Sequence, residues 1–184
     1  MELISAVRAS SAVSTFDFQS IPSTYTHLLL IADCLIDSGN GSGWNLRLNG
    51  TSDESSKYDT CAILSNSGSS AAYMYYTGGG YAATANNALI HNSSSNAARS
   101  FHKIYFPFYK DAVPLNTNIT KNDNNTGGGK HIIGWSQSGY AGSYYGKTLF
   151  YHKYYDSANI NRIYCYHWGG NKFKEGTTFS LHGF

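Results

Sequence analysis

Charge is scarce in this chain. Lys, Arg, Asp and Glu make up 13% of its 184 residues, about half the level of an average soluble domain. The 13 basic and 11 acidic residues leave a formal +2 and form no run, so the electrostatic footprint that nucleic acid requires is missing. Long apolar runs are absent too. The longest, "LLLIA", is far short of a membrane span, and "MELISAVRASSAV" has neither the basic nor the continuous apolar region of a secretion signal. These features predict a soluble protein made in a cytoplasm, with neither nucleic acid nor membrane insertion among its interactions. Without a secretion signal, the Asn-X-Ser/Thr triplets at Asn40, Asn49, Asn92, Asn118 and Asn124 carry no weight as glycosylation sites.

Cysteine is sparse as well: Cys34, Cys61 and Cys165 are an odd number without CxxC spacing. Neither a disulfide framework nor a zinc site is indicated, and buried free thiols are expected. Sustained 3.6-residue periodicity is also lacking. In its place stand short segments that alternate with period two or run apolar between Gly, Asn and Ser clusters, which predicts strands. They are "ELISAVRA", "AVSTFDF", "THLLLIAD", "WNLRLNG", "YDTCAIL", "AAYMYYT", "ALIHN", "FHKIYFPFY", "KHIIGWSQ", "KTLFYHKYY", "INRIYCYHW" and "TFSLHGF". A short helical turn capped by Ser52 or Asp53 competes with a plain loop at 52 to 58. The intervening Gly/Ser/Asn loops are evenly spread, which argues against a domain boundary. No repeat of fixed period is visible, which removes propellers and solenoids. The reading is a single all-β domain over residues 1–184, an antiparallel β-sandwich of two packed sheets.

Catalytic constellations are not evident. The 11 carboxylates sit mostly in or beside polar loops, where turn-forming and solvated roles are ordinary, although sequence leaves open a facing pair of the kind a glycosidase uses. Asp53, Glu54 and Asp59 lack the regular spacing of a calcium loop. None of the seven histidines falls in an HxxxH or HExxH arrangement, so strand roles are expected for His102 and His152. The triplets "TGGGY" and "TGGGK" do not continue as a phosphate loop, because His131 follows Lys130. No metal or cofactor is expected.

One class of residue is in excess. Sixteen Tyr, nine Phe and three Trp make up 15% of the chain, and in strands about half of those rings must point away from the core. Tyr and Trp offer an apolar face with a polar tip, suited to sugars and to subunit contacts alike. Trp135 and the loop "SGYAGSYYG", with Tyr140, Tyr144 and Tyr145, form the candidate surface for a glycan or an interface.

Four stretches carry a resemblance. "FDFQSIPSTYTHLLL" places Pro22 at a strand exit and Tyr25 at the corner before Leu28 and Leu30 enter the core. "NLRLNGTSDESSKY" is an apolar strand ending in an Asn-Gly turn and followed by Tyr58. "FHKIYFPFY" and "FKEGTTFSLHGF" supply a later strand and a closing one. In this order they resemble the jelly-roll domains of tailed-bacteriophage virion proteins, found in head decoration and at tail-fibre ends. The family's Ile-Pro-Asn-Tyr-like strand end is here Phe106-Pro107-Phe108-Tyr109, and His182 and Phe184 replace its usual Tyr and Ile.

The resemblance implies a jelly-roll-like sandwich without catalytic residues, assembling as a homotrimer on the outside of a virion beside other capsid or tail proteins. Capsid decoration or cement is the first expectation, because the pattern begins almost at Met1. A tail-fibre protein that contacts host surface glycans is the alternative, and a carbohydrate-binding module or carbohydrate-active enzyme the second. If the closing strand lies inside a sheet, its apolar alternation is explained.

Overall fold

The computed structural model describes residues 1–35, 42–51, 58–66, 72–77, 88–92, 99–111, 129–138, 146–167 and 172–184. They are all β, with no helix among the described residues long and apolar enough to cross a membrane. The strands are β1 (Glu2–Arg8), β2 (Thr15–Phe18), β3 (Leu28–Cys34), β4 (Ser42–Leu48), β5 (Tyr58–Asn66), β6 (Ala72–Thr77), β7 (Ala88–Asn92), β8 (Ser100–Phe106), β9 (Lys130–Ser138), β10 (Gly146–Tyr154), β11 (Ile163–His167) and β12 (Thr178–Gly183). Each predicted segment overlaps one of them, with ends that differ by a few residues. The segment 52 to 58, where a helical turn competed with a plain loop, lies outside the described residues, apart from Tyr58, which opens β5.

Two antiparallel sheets pack as a sandwich. The larger runs β1-β12-β3-β8-β9-β10-β5-β6 and the smaller β2-β11-β4-β7. Their pairings nest: β1 with β12, β2 with β11, β3 with β8 and β4 with β7. The hairpins β5-β6 and β9-β10 extend the larger sheet. Strand β12 lies between β1 and β3, so its alternation of buried Phe179, Leu181 and Gly183 with half-buried neighbours belongs to a strand paired on both sides.

Aromatic rings from both sheets fill the core. Phe179 of β12 lies 4.4 Å from Phe16 of β2, 5.1 Å from Trp44 of β4 and 5.4 Å from Phe173, ring centre to ring centre. Leu28, Leu30, Ile104, Phe106 and Ile132 extend it along the larger sheet, and Leu46, Leu48 and Ile163 along the smaller. Cys34 and Cys165 are free and buried, as expected, and burial pushes both thiols up. Such thiols are poor nucleophiles.

Two of the resemblance's corner residues carry definite contacts. The Tyr25 ring occupies the space beside Gly183, where a Cβ would come within 2.3 Å of it. Tyr58 is buried, and its hydroxyl accepts the Leu48 N–H at 2.9 Å. Asn49, at φ 59°, turns the chain out of β4 in the left-handed conformation that Asn tolerates best after Gly. Its side chain holds the far segment by accepting from the Asn161 N–H and donating to the Asn159 carbonyl. Those contacts place β11's start at Ile163 rather than at Ile160. Strand β8 likewise ends at Phe106, because Pro107 has no N–H for a ladder and Phe108 stands at φ 49°.

Candidate interaction surface

The pleat of β8, β9 and β10 sorts their side chains in an unusual way. Ser100, His102, Lys130, Ser136 and His152 point inward and are buried, together with Ile104, Phe106, Ile132, Phe150 and Tyr154. Outward stand Phe101 at 37% exposure, Ile133 at 43%, Trp135 at 38%, Leu149 at 53% and Tyr151 at 39%. Polar groups are thus buried among the inward apolar ones, while other large apolar groups stand outward.

Register brings the outward set together. Trp135 faces Lys103 on one side and Leu149 on the other, while Ile133 faces Tyr105 and Tyr151. Directly opposed residues on one face of an antiparallel pair sit about 5 Å apart at Cβ, so these rows form one continuous patch. The Phe101 and Trp135 rings meet edge to face at 6.0 Å, and Lys103 lies 5.7 Å from the Phe101 ring centre. His131 Nδ1 and the Tyr151 hydroxyl are hydrogen-bonded. On β3, half-buried Leu29 and Ile31 continue the rows opposite Tyr105 and Lys103.

The patch extends past the ends of the strands. Tyr105 lies 6.5 Å from Phe184 and 5.5 Å from His27, and His27 lies 4.7 Å from Phe108. Phe108 is 55% exposed and holds its left-handed backbone while donating its N–H to His27 Nδ1 at 3.2 Å. A bulky residue at positive φ is uncommon and strained, and here the strained residue presents its ring to solvent.

The inward polar groups sit in definite surroundings. Lys130 is buried and its Nζ donates to the Asp111 carbonyl. Burial lowers its pKa, opposed by Asp111 and Asp156. His102 packs edge to face on Trp44 at 5.3 Å, with neither ring nitrogen hydrogen-bonded among the described residues. Burial lowers His102 and His152 to about 3 each, so both are neutral imidazoles at pH 7.

Asp17 is tied to Arg162 by two hydrogen bonds of 2.9 and 2.6 Å, and that contact holds its carboxyl below the usual range. Asp33 pairs with Arg99 at 2.7 Å. Among the described residues no group of His, Cys, Asp and Glu side chains has the arrangement to hold a metal ion. What the face offers is apolar area, ring faces and a few lysine charges.

Of the four residues singled out in the sequence, Trp135 sits in the middle of the patch, while Tyr140, Tyr144 and Tyr145 lie outside the described residues. Sequence reasoning missed Phe101, Ile133, Leu149, Tyr151 and Phe108. A local hint exists for Ile133 and Phe101 alone, in "KHIIGWSQ" and "SFHKIYF", where the set alternating with them holds Lys130, Gly134 and Ser136 beside Ile132, or Ser100 and His102 beside Ile104 and Phe106; Leu149, Tyr151 and Phe108 needed the structure. Comparison with known proteins returns no matching family model, no curated relative and no similar solved structure.

Proposed function

We propose that this protein is a non-enzymatic structural protein of a tailed-phage virion, mounted on the particle exterior, with capsid decoration or cement as its role. The observation that carries the reading is the apolar, aromatic outer face of β8, β9 and β10. A chain acting alone gains nothing from keeping such a face in water, whereas a protein built into an assembly needs one. The nested strand pairing supports the jelly-roll part of the reading, since pairing first strand with last and second with second-to-last is what rolling up one long hairpin produces. Trimerisation is the form of assembly that the sequence resemblance implies.

Antibody-gold labelling of particles purified from the source tests the proposal. Label over the head is the expected result, and label on no particle would overturn it. A second reading, attachment of a tail to host surface glycans, is favoured by the exposed Trp135 and Tyr151 rings, which are of the kind that stack on sugars. Label confined to the tail, together with binding on a glycan array, would establish that reading instead.

A further inference from the structure

We infer that the outer face of β8, β9 and β10 packs against a second copy of this chain, with Trp135, Ile133 and Leu149 at the centre of the contact. This deepens the structural-protein reading and rests on it.

The first argument is size. Aromatic side chains present roughly 150–250 Å² each, and with Ile and Leu taken as about the same, the exposures of Phe101, Ile133, Trp135, Leu149 and Tyr151 leave about 400 Å² of mostly apolar surface. That is already the size of the largest patch on a typical monomer, and about half of the ~800 Å² that each partner contributes to a stable interface. Leu29, Ile31, Lys103, Tyr105, His131 and Gln137 flank it on the same face and would enlarge the contact.

The second argument is chemistry. Ile133 and Leu149 occupy the middle of the face, and aliphatic groups there would strip water from a sugar's hydroxyls without returning hydrogen bonds. The middle of the face therefore suits an apolar protein surface better than a sugar. The charges fit a contact rim. Lys103 runs beside the Phe101 ring, and a lysine stem can cover apolar surface while its ammonium stays in water.

The third argument is geometry. A sheet face with rows of apolar side chains in register packs on an apolar complement at about 10 Å, whether the copies close as a pair or as a ring of three. A second copy supplies that complement at the chain's own concentration from the moment it folds. An apolar face left waiting for a scarcer partner would be an aggregation hazard.

Light scattering after size exclusion tests this on the purified full chain. The expected mass is twice or three times the 20.1 kDa of one chain. Leu149→Lys and Ile133→Lys should each weaken association by about a hundredfold, through a charge left unpaired in the contact, while keeping the wild-type circular dichroism. A wild-type monomer at tens of micromolar would overturn the inference and pass the face to another virion protein or to a glycan. A multimer that both variants leave intact would overturn it as well.

If the lysine variants fail to fold, cross-linking a mixture of isotope-labelled and unlabelled wild-type chains decides the matter. Links between chains through Lys103 or Lys153 support the contact, and links confined to other lysines overturn it. Particle labelling is independent of every one of these outcomes, so failure of the self-contact and failure of the virion reading are separately visible.

Discussion

Lowering the pH from 7 to 5 should destabilise this protein by about 4 kcal/mol, through His102 and His152. Both are fully buried and neutral, and burial depresses each from 6.5 to about 3. The unfolded chain binds a proton at each site as the pH falls below 6.5, while the folded chain cannot until the pH approaches 3, so stability drops across that interval and is unaffected above it. One pH unit in that interval is worth about 1.4 kcal/mol per histidine. At pH 5 the loss is therefore about 2 kcal/mol each, or a large share of the 5–15 kcal/mol that stabilises a typical domain. Asp17, whose carboxyl Arg162 holds low, keeps its stabilising contribution above 3.8 and loses it only as the pH falls further, which leaves this window to the histidines. Urea titrations at both pH values, at one fixed protein concentration, measure the difference. His102→Phe keeps an aromatic ring against Trp44 and should remove about half of the pH dependence, and adding His152→Phe should remove most of it. Equal wild-type stability at pH 5 and 7, or an unchanged slope in the double variant, would refute the argument.

Three further outcomes follow from packing. Gly134→Ala puts a Cβ 1.8 Å from Cζ of the buried Phe150 ring, and such overpacking should cost about 1–3 kcal/mol in a denaturant titration. Phe179→Ala removes the ring that meets Phe16, Trp44 and Phe173 and should cost about 3–5 kcal/mol, so a thermal melt should rank it well below a Leu149→Ala variant held monomeric. Tyr58→Phe deprives the buried Leu48 N–H of its acceptor and should cost about 1–3 kcal/mol; a neutral result would mean that water or another group reaches that site.

Strands were legible in this sequence because period-two alternation between Gly, Asn and Ser clusters is a local signal. Which face of each strand lies inside was not. In β9 the inward set is Lys130, Ile132, Gly134 and Ser136, and the outward set is His131, Ile133, Trp135 and Gln137. Each set holds one Ile, and the outward one also holds Trp135, so hydrophobicity alone does not pick out the inner face. That face follows from long-range partners: Gly134 makes room for Phe150 across the ladder, Lys130 finds the Asp111 carbonyl, and His102 finds Trp44 across the sandwich. Such contacts join segments that are distant in sequence, so no local window contains them. Trp135 could be picked out as an exposed aromatic, whereas its companions Phe101 and Leu149 come from neighbouring strands and needed the register. Closing β12 was legible from its alternation, and its position between β1 and β3 explains why both of its edges are occupied.

Direct imaging of the source particle, at a resolution that traces strands, tests the central claim most directly. The account predicts this chain on the particle exterior, with the outer face of β8, β9 and β10 covered by a second copy and Trp135 inside the contact. Copies on the particle that leave this face open to solvent and touch through other surfaces, or a particle without the chain, would contradict it.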